Sequence, residues 1–514
     1  MPVRRSISRI IAERGARDPS EPVVLDARGV LTAGELAAGA RSLARRLRRA
    51  GVRVDDHVEV SLGNDRDMVI ACCAVWEAGA TPLPLAPGLV HAERERIEDI
   101  ARPTASIGAL PARPDVVHLQ VAGTADGADD TDRSPDLDPD LAASCWKAMT
   151  TSGSTGRPKI VRASAPALLD PERAVAPYLP RDQVQLVAGP LTHPAPFTYA
   201  FRGLLTGHRL VLLPRFTPEA WLDAVEEHRV TWAMVVPTML HRLLRLPPSR
   251  RSPARLASLR TLLHIGAPCA VPLKREVIDW LGPERVLEVY AGSESNGIVM
   301  IDGADWLAHP GSVGRPLPGT SARIVDAEGR ALPPGRTGLV QMRREGAPAS
   351  HYLGAPSRRD AEGWDTLGDL GRLDAAGYLH LTDREDDMID RGGELIAPAA
   401  IEAELEQHPE VRGALVLGLP DAEWGHRIAA VLDVPGVGPD GEDGEGGDAA
   451  EAVGRRILAG VRPRLGHRTP QEVLVVDRLL RDDAGKARRR AWVTAFEEGG
   501  LRSRRPPAPP PRPS

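Results

Sequence analysis

The sequence predicts an α/β protein whose mostly parallel strands alternate with helices packed on both sheet faces. Strand-like apolar runs at residues 58–62, 186–188, 210–213 and 232–236 are separated by helical stretches at 219–228 and 274–281. The chain has 514 residues, 42% of them hydrophobic, enough for several domain cores, and its 50 Gly and 48 Pro supply many turns.

Residues 31–50 repeat apolar positions at helical spacing with arginines opposite, and Thr32 with Glu35 forms a capping-box pattern at the start. The apolar run beginning at 69–76 is broken by Glu77, well short of a membrane span. Residues 123–140 and 436–448 are acidic and rich in Gly, Pro and Asp, the composition of solvated connections. The second lacks the ligand spacing of a calcium loop, so no metal is assigned to it. Residues 401–406 read as helix and 413–417 as strand, suiting a small α/β module after a charged turn at 384–387.

Net charge is −5, with 65 Lys plus Arg against 70 Asp plus Glu, so no global positive field attracts nucleic acid or anionic lipid. Cys72, Cys73, Cys145 and Cys269 have neither disulfide-framework nor metal spacing. Arg4, Arg5, Arg9, Glu13 and Arg14 interrupt the N-terminal apolar residues as no signal peptide allows. The expectation is a cytoplasmic protein without membrane insertion.

Residues 150–159 read Thr-Thr-Ser-Gly-Ser-Thr-Gly-Arg-Pro-Lys. Gly153 and Gly156 permit tight turns, the amides between them can form an anion-binding concavity, and hydroxyls and Lys159 can meet phosphate oxygens. The glycine spacing differs from a Walker A loop, and strand-like flanks at 145–149 and 160–163 put this loop at a hairpin tip. Only Lys147, Lys159, Lys274 and Lys486 are lysines in this arginine-biased chain, which singles out Lys159 and Lys486 as places where a compact ammonium is required.

Residues 287–295 read Leu-Glu-Val-Tyr-Ala-Gly-Ser-Glu-Ser, a strand entering a small-residue turn. Facing the phosphate loop, Glu294 could hold Mg²⁺ and Tyr290 could lie flat on a purine. Asp369, in Trp-Asp-Thr-Leu-Gly-Asp, can accept both hydroxyls of a ribose, and Arg384 can reach ribose or phosphate.

With these segments in this order, and with 311–319, 384–393 and Gly485-Lys486, the chain resembles the adenylate-forming superfamily of acyl-CoA synthetases, peptide-synthetase adenylation domains and luciferase-like enzymes. Residues 263–282 and 306–315 look like the branch of CoA ligases acting on steroid, bile-acid or fatty carboxylates. The resemblance implies a large N-terminal AMP-binding domain (residues 1–385) of stacked, mostly parallel sheets with helices plus a small distorted barrel. It also implies a small mobile α+β C-terminal domain (386–498) and a disordered tail (499–514).

The implied reaction activates a fatty, steroid or terpenoid-like acid with ATP and Mg²⁺ as its acyl adenylate, then transfers the acyl group to coenzyme A. By resemblance Thr151, Ser152, Gly153, Ser154, Thr155, Gly156 and Lys159 hold the β and γ phosphates. Gly266, Ala267 and Pro268 sandwich adenine with Tyr290, Ser293 lies beside the nucleotide, and Asp369 with Arg384 binds the ribose side. Glu294 and the Thr151 hydroxyl position the metal, and Lys486 with Glu294 and Arg384 carries the chemistry. His193, Pro196, Phe197, Trp232, Val236 and His264, with Ala291 and Gly292, line the acyl pocket. Because residues 189–204 hold no carboxylate to pair an amino group, an apolar acid is favoured. Gly392, Gly393 and Trp424 face CoA, and Asp386 is the hinge.

Three departures stand out. Ala291 replaces a usual glycine, Gly292-Ser293 replaces the commoner small residue plus threonine, and Asp390 and Glu394 acidify the CoA-side loop. The alternatives to a full ligase are thioester formation from an acyl adenylate supplied elsewhere, acyl transfer to a separate carrier protein, and a non-catalytic binder. A homodimer stays open.

Overall fold

The computed structural model describes residues 4–121, 137–151, 158–437, 446–482, 485–487 and 489–497. Its largest sheet has nine strands. Val286–Ala291, Thr261–Ile265, Trp232–Val235, Val184–Val187, Arg209–Leu212 and Pro22–Asp26 lie side by side in parallel, and antiparallel strands close both edges. A second, all-parallel sheet sets His57–Ser61 between Thr81–Pro84 and Ala105–Gly108. The strands expected at 58–62, 186–188, 210–213 and 232–236 are present within two residues of those bounds, whereas that expected at 413–417 runs on to Asp421.

Between these sheets lies the main core, where Arg66–Glu77 is buried from Met68 to Glu77. That helix accounts for the long apolar run: it is wrapped in protein on all sides, and no helix among the described residues could cross a membrane. The helix Ala33–Arg49 starts at the expected capping box, with the Thr32 hydroxyl and Glu35 carboxylate each bonding the other's backbone N–H.

Ala148–Thr151 and Lys159–Ala163 pair antiparallel, joined at the far side by Ser350–Leu353. The phosphate loop therefore joins paired strands as expected, although residues 152–157, with Ser152, Gly153, Ser154, Thr155 and Gly156, lie outside the described residues. Thr320–Val325, Gly338–Arg344, Asp369–Leu373 and Leu379–Arg384 form a four-stranded antiparallel sheet.

Beyond Arg384 a short 3-10 turn, Glu385–Asp387, leads to the hairpin Ile389–Arg391 and Glu394–Ile396. A three-stranded sheet with its own apolar core follows, packed on Pro398–Leu405 and Gly446–Leu465. That last helix begins inside the acidic stretch 436–448. The second core makes the C-terminal part a module of its own.

Candidate active site

Four neighbouring parallel strands end at one cleft of roughly 2520 Å³. Loops leaving the carboxyl ends of parallel strands have free backbone groups and no sheet partner, which is where α/β folds build their sites. Val184–Val187 leads to His193, Trp232–Val235 to Val236, and Thr261–Ile265 to Gly266, Ala267 and Pro268; Val286–Ala291 leads to Gly292, Ser293 and Glu294. Gly266 turns with φ +93°, a conformation favouring glycine.

The Tyr290 hydroxyl donates to Asp369 Oδ2 at 2.6 Å, and Arg384 Nε lies 3.5 Å from Asp369 Oδ1. Burial, reinforced by the Asp369 carboxylate, raises the Tyr290 pKa well above its ordinary value, so the phenol stays a donor. Glu294 is fixed from the hairpin side: Tyr352 Oη donates to its Oε1 at 2.6 Å, and Ser350 Oγ donates to its backbone carbonyl at 2.6 Å. Lys159 Nζ sits 5.8 Å from the Tyr352 ring centroid, so the hairpin's ammonium and the strand-end carboxylate share one tyrosine.

Lys486 reaches this cleft from the C-terminal module. Its loop closes on itself: Gly485 N–H donates to the Asp482 carbonyl at 2.8 Å, and Lys486 N–H to Asp482 Oδ1 at 2.9 Å. On either side Arg481 and Arg489 donate to opposite oxygens of the buried Glu402, at 2.5 and 2.7 Å. Gly485 lies against the large sheet's side, where a Cβ would be 3.5 Å from Val236 Cβ. Lys486 is open to the cleft, yet the protein around its ammonium lowers its pKa; Arg384 acts in the same direction, while Asp482 and Glu294 oppose it. The His193 pKa is lowered chiefly by burial, with Asp482 raising and Lys486 lowering it.

Thr151, Lys159, Pro196, Ala291 and Asp386 also line the cleft. Three expected pocket residues do not. Phe197 is on the opposite face of its helix, packed edge-on or tilted against Trp76, Trp146 and Phe201, because positions 197, 200, 201 and 204 share the core side. Trp232 opens its strand at the end remote from the cleft and gives its indole N–H to the Tyr178 carbonyl at 2.7 Å. His264 points behind the sheet toward the Lys274–Glu288 pair, fully buried, with its pKa driven well down by burial and Lys274.

Gly392, Gly393 and Trp424 stand away from the cleft: the two glycines form the tip of the hairpin, against which the half-exposed Trp424 packs. Residues missed from sequence include Tyr352 and Ser350, which meet Glu294 only where two different sheets come together, and Lys147 and Arg202 deeper in the cleft.

Among the described residues no cluster of three His, Cys, Asp or Glu could hold a metal alone. The donors at the cleft are hard oxygens, the Glu294 carboxylate and the Thr151 hydroxyl, which fit a magnesium ion arriving on phosphates and needing one or two protein ligands.

Residues 11–353 match the AMP-binding enzyme family. A feruloyl-CoA synthase from an Amycolatopsis species is 34% identical over 490 residues, covering 92% of this chain and 95% of that protein. Among solved structures, ATP-bound MatB from Rhodopseudomonas palustris superposes with a TM-score of 0.77 at 25% identity, covering 96% of this chain and 99% of that one. The o-succinylbenzoate CoA synthetase of Bacillus subtilis, in complex with ATP and magnesium ion, gives 0.76 at 25% identity over 95% and 99%. A match over two thirds of the length, on a chain whose strand ends converge in this way, makes the protein a member of the AMP-binding enzyme family.

Proposed function

We propose that the protein is an AMP-forming acid–thiol ligase that activates a carboxylic acid with ATP and transfers the acyl group to coenzyme A. The observation carrying this reading is Lys486, brought by the C-terminal module into the cleft that Glu294, Arg384 and His193 also line at the strand ends. The related feruloyl-CoA synthase and the two ATP-bound structures support the same chemistry.

In adenylation an acid oxygen bonds to the α-phosphorus while the bond to the bridging oxygen breaks and pyrophosphate leaves with the electron pair. Negative charge builds at the α-phosphate, and the Lys486 ammonium stabilises it. Lys159 and the loop at 151–156 hold the β and γ phosphates. Tyr290 with Gly266, Ala267 and Pro268 encloses adenine, Ser293 lies at the nucleotide's edge, and Asp369 binds the ribose, oriented by Arg384. Glu294 and Thr151 would hold Mg²⁺, which when bound neutralises phosphate charge.

The acid enters between His193, Pro196, Val236, Ala291 and Gly292. Apolar walls support an acid with an apolar body, and a feruloyl-named relative favours an aromatic acid; the steroid and bile-acid branch gains no support from the relatives described.

For thioester formation the thiol sulfur bonds to the acyl carbon and AMP leaves. Rotation of residues 386–498 about Asp386 withdraws Lys486 and brings Gly392, Gly393 and Trp424 to the cleft. Mass spectrometry of products from an acid panel with ATP, Mg²⁺ and CoA, repeated with synthetic acyl adenylates, tests the proposal. Acyl-CoA and AMP from free acid support it; thioester from supplied adenylate alone reduces the enzyme to a half-ligase, and no product from either contradicts it.

A further inference from the structure

Beyond the strand ends the cleft reaches two cations that the adenylation chemistry leaves unused. The helix Pro194–Leu204 turns Phe197, Ala200, Phe201 and Leu204 into the core, while Ala195, Thr198, Tyr199 and Arg202, at the complementary i, i+3, i+4, i+7 positions, line the cleft. Lys147, one residue before its strand Ala148–Thr151, meets that face: its ammonium donates to Thr198 Oγ1 at 2.5 Å. The Thr198 hydroxyl gives its own proton to the Pro194 carbonyl at 2.6 Å, so Lys147 takes only a lone pair from it.

Lys147 is 6% exposed, and among the described residues no carboxylate lies within ion-pair distance of it or of Arg202. Both cations instead flank one indole. Lys147 Nζ is 5.0 Å and Arg202 Cζ 4.1 Å from the Trp146 ring centroid. Asp170 lines the same cleft, but its carboxylate accepts from its own turn at Glu172 N–H. Burial, with Arg202 close by, pushes the Lys147 ammonium down to about 7, and burial with Arg4 pushes Arg202 to about 10. A buried cation beside a partly buried one, neither neutralised, is costly, and two of the three Lys147 N–H donors have no acceptor among the described residues.

Such an arrangement is stabilised by an anion that arrives with the ligand. Thr198 is five residues and Arg202 nine residues along the chain from His193, so at 1.5 Å per residue the cations begin about 8 Å and end about 14 Å down the helix from the activation end. We propose that Lys147 and Arg202 are specificity-determining residues that bind a second carboxylate at the far end of the acid, which makes the preferred substrate a dicarboxylate with an apolar middle. This rests on the ligase reading and narrows it: the segment 189–204, whose lack of acidic residues favoured an apolar acid, contains the Arg202 that receives the second charge.

The test is calorimetric binding of matched pairs, each a dicarboxylic acid of six to twelve bonds between carboxyls and its monomethyl ester, to the wild type, Lys147→Met and Arg202→Gln. The wild type is expected to prefer a diacid over its ester by about tenfold or more, as a charge-assisted bond to a buried ammonium implies. Lys147→Met should bring the two affinities within twofold while leaving the ester's own affinity within threefold. Arg202→Gln, at a less buried position, should do the same in part, and serves if Lys147→Met does not fold. Equal or stronger binding of the esters by the wild type, a preference surviving in a folded variant, or no binding of any diacid overturns the inference. Pyrophosphate release measured alongside separates the two claims, because turnover of monoesters without a diacid preference keeps the ligase and discards the subsite.

Discussion

The Tyr352 hydroxyl donates to Glu294 Oε1 at 2.6 Å, tying a residue of the phosphate-loop sheet to the carboxylate at the end of a large-sheet strand. This bond orients the proposed metal ligand from a tyrosine that itself lines the cleft. Tyr352→Phe should raise the Mg²⁺ concentration for half-maximal pyrophosphate release by about tenfold, the usual size of an orienting partner's effect. An unchanged magnesium titration would remove Tyr352 from the site.

Glu402 anchors the lysine loop, since Arg481 and Arg489 bracket Lys486 in sequence and meet on one carboxylate. Burial raises its pKa, but Arg489 and Arg481 outweigh this and hold it below the ordinary carboxylate value. A lowered folded pKa contributes stability above the unfolded value, about 4.3, which is lost as pH falls through the folded one. Glu402→Gln should lower the melting temperature at pH 7 and flatten its fall below about pH 4.3, and should slow pyrophosphate release more than thioester formation from supplied adenylate. Identical melting profiles from pH 7 to pH 3 would contradict this.

Arg245 latches the two parts in the arrangement seen here. Its guanidinium donates to the carbonyls of Pro409 and Val411 at 2.5 and 2.7 Å, with Glu406 and His408 at 3.4 and 3.3 Å. Charge-assisted bonds of this kind are worth about 1–2 kcal/mol together at a partly exposed site. Arg245→Ala should slow adenylation by up to about tenfold and leave transfer from supplied adenylate equal or faster. Equal slowing of both half-reactions would show that the contact does not bias the rotation.

The lowered pKa of Lys486 has a kinetic consequence. Its ammonium is lost at a lower pH than an ordinary lysine's, so kcat/KM for pyrophosphate release should fall on an alkaline limb below about pH 10.4. Lys486→Arg, charged throughout, should show lower activity without that limb; a limb persisting in this variant assigns it to another group.

What the sequence made legible was local. The Thr32 and Glu35 capping box sits within four residues, and the strand runs announce themselves by composition, so both match the structure closely. The turn carrying Glu294 follows a strand whose end the pattern already marks. Phe197, Trp232 and His264 went astray because belonging to a pocket-forming segment does not say which helix face or strand end a side chain takes. Tyr352 was hidden because its partner is 58 residues away and belongs to a strand end of a different sheet. Arg202 was visible as a cation in 189–204, and its significance appears only when Lys147 arrives beside it.

Lys486 is assigned to one half-reaction and not the other. Lys486→Ala, assayed for ATP-dependent pyrophosphate release and separately for thioester formation from a synthetic acyl adenylate and CoA, tests that directly. The first should fall by about a hundredfold or more, the scale of removing a transition-state charge partner, with the second retained. Equal loss of both would contradict it.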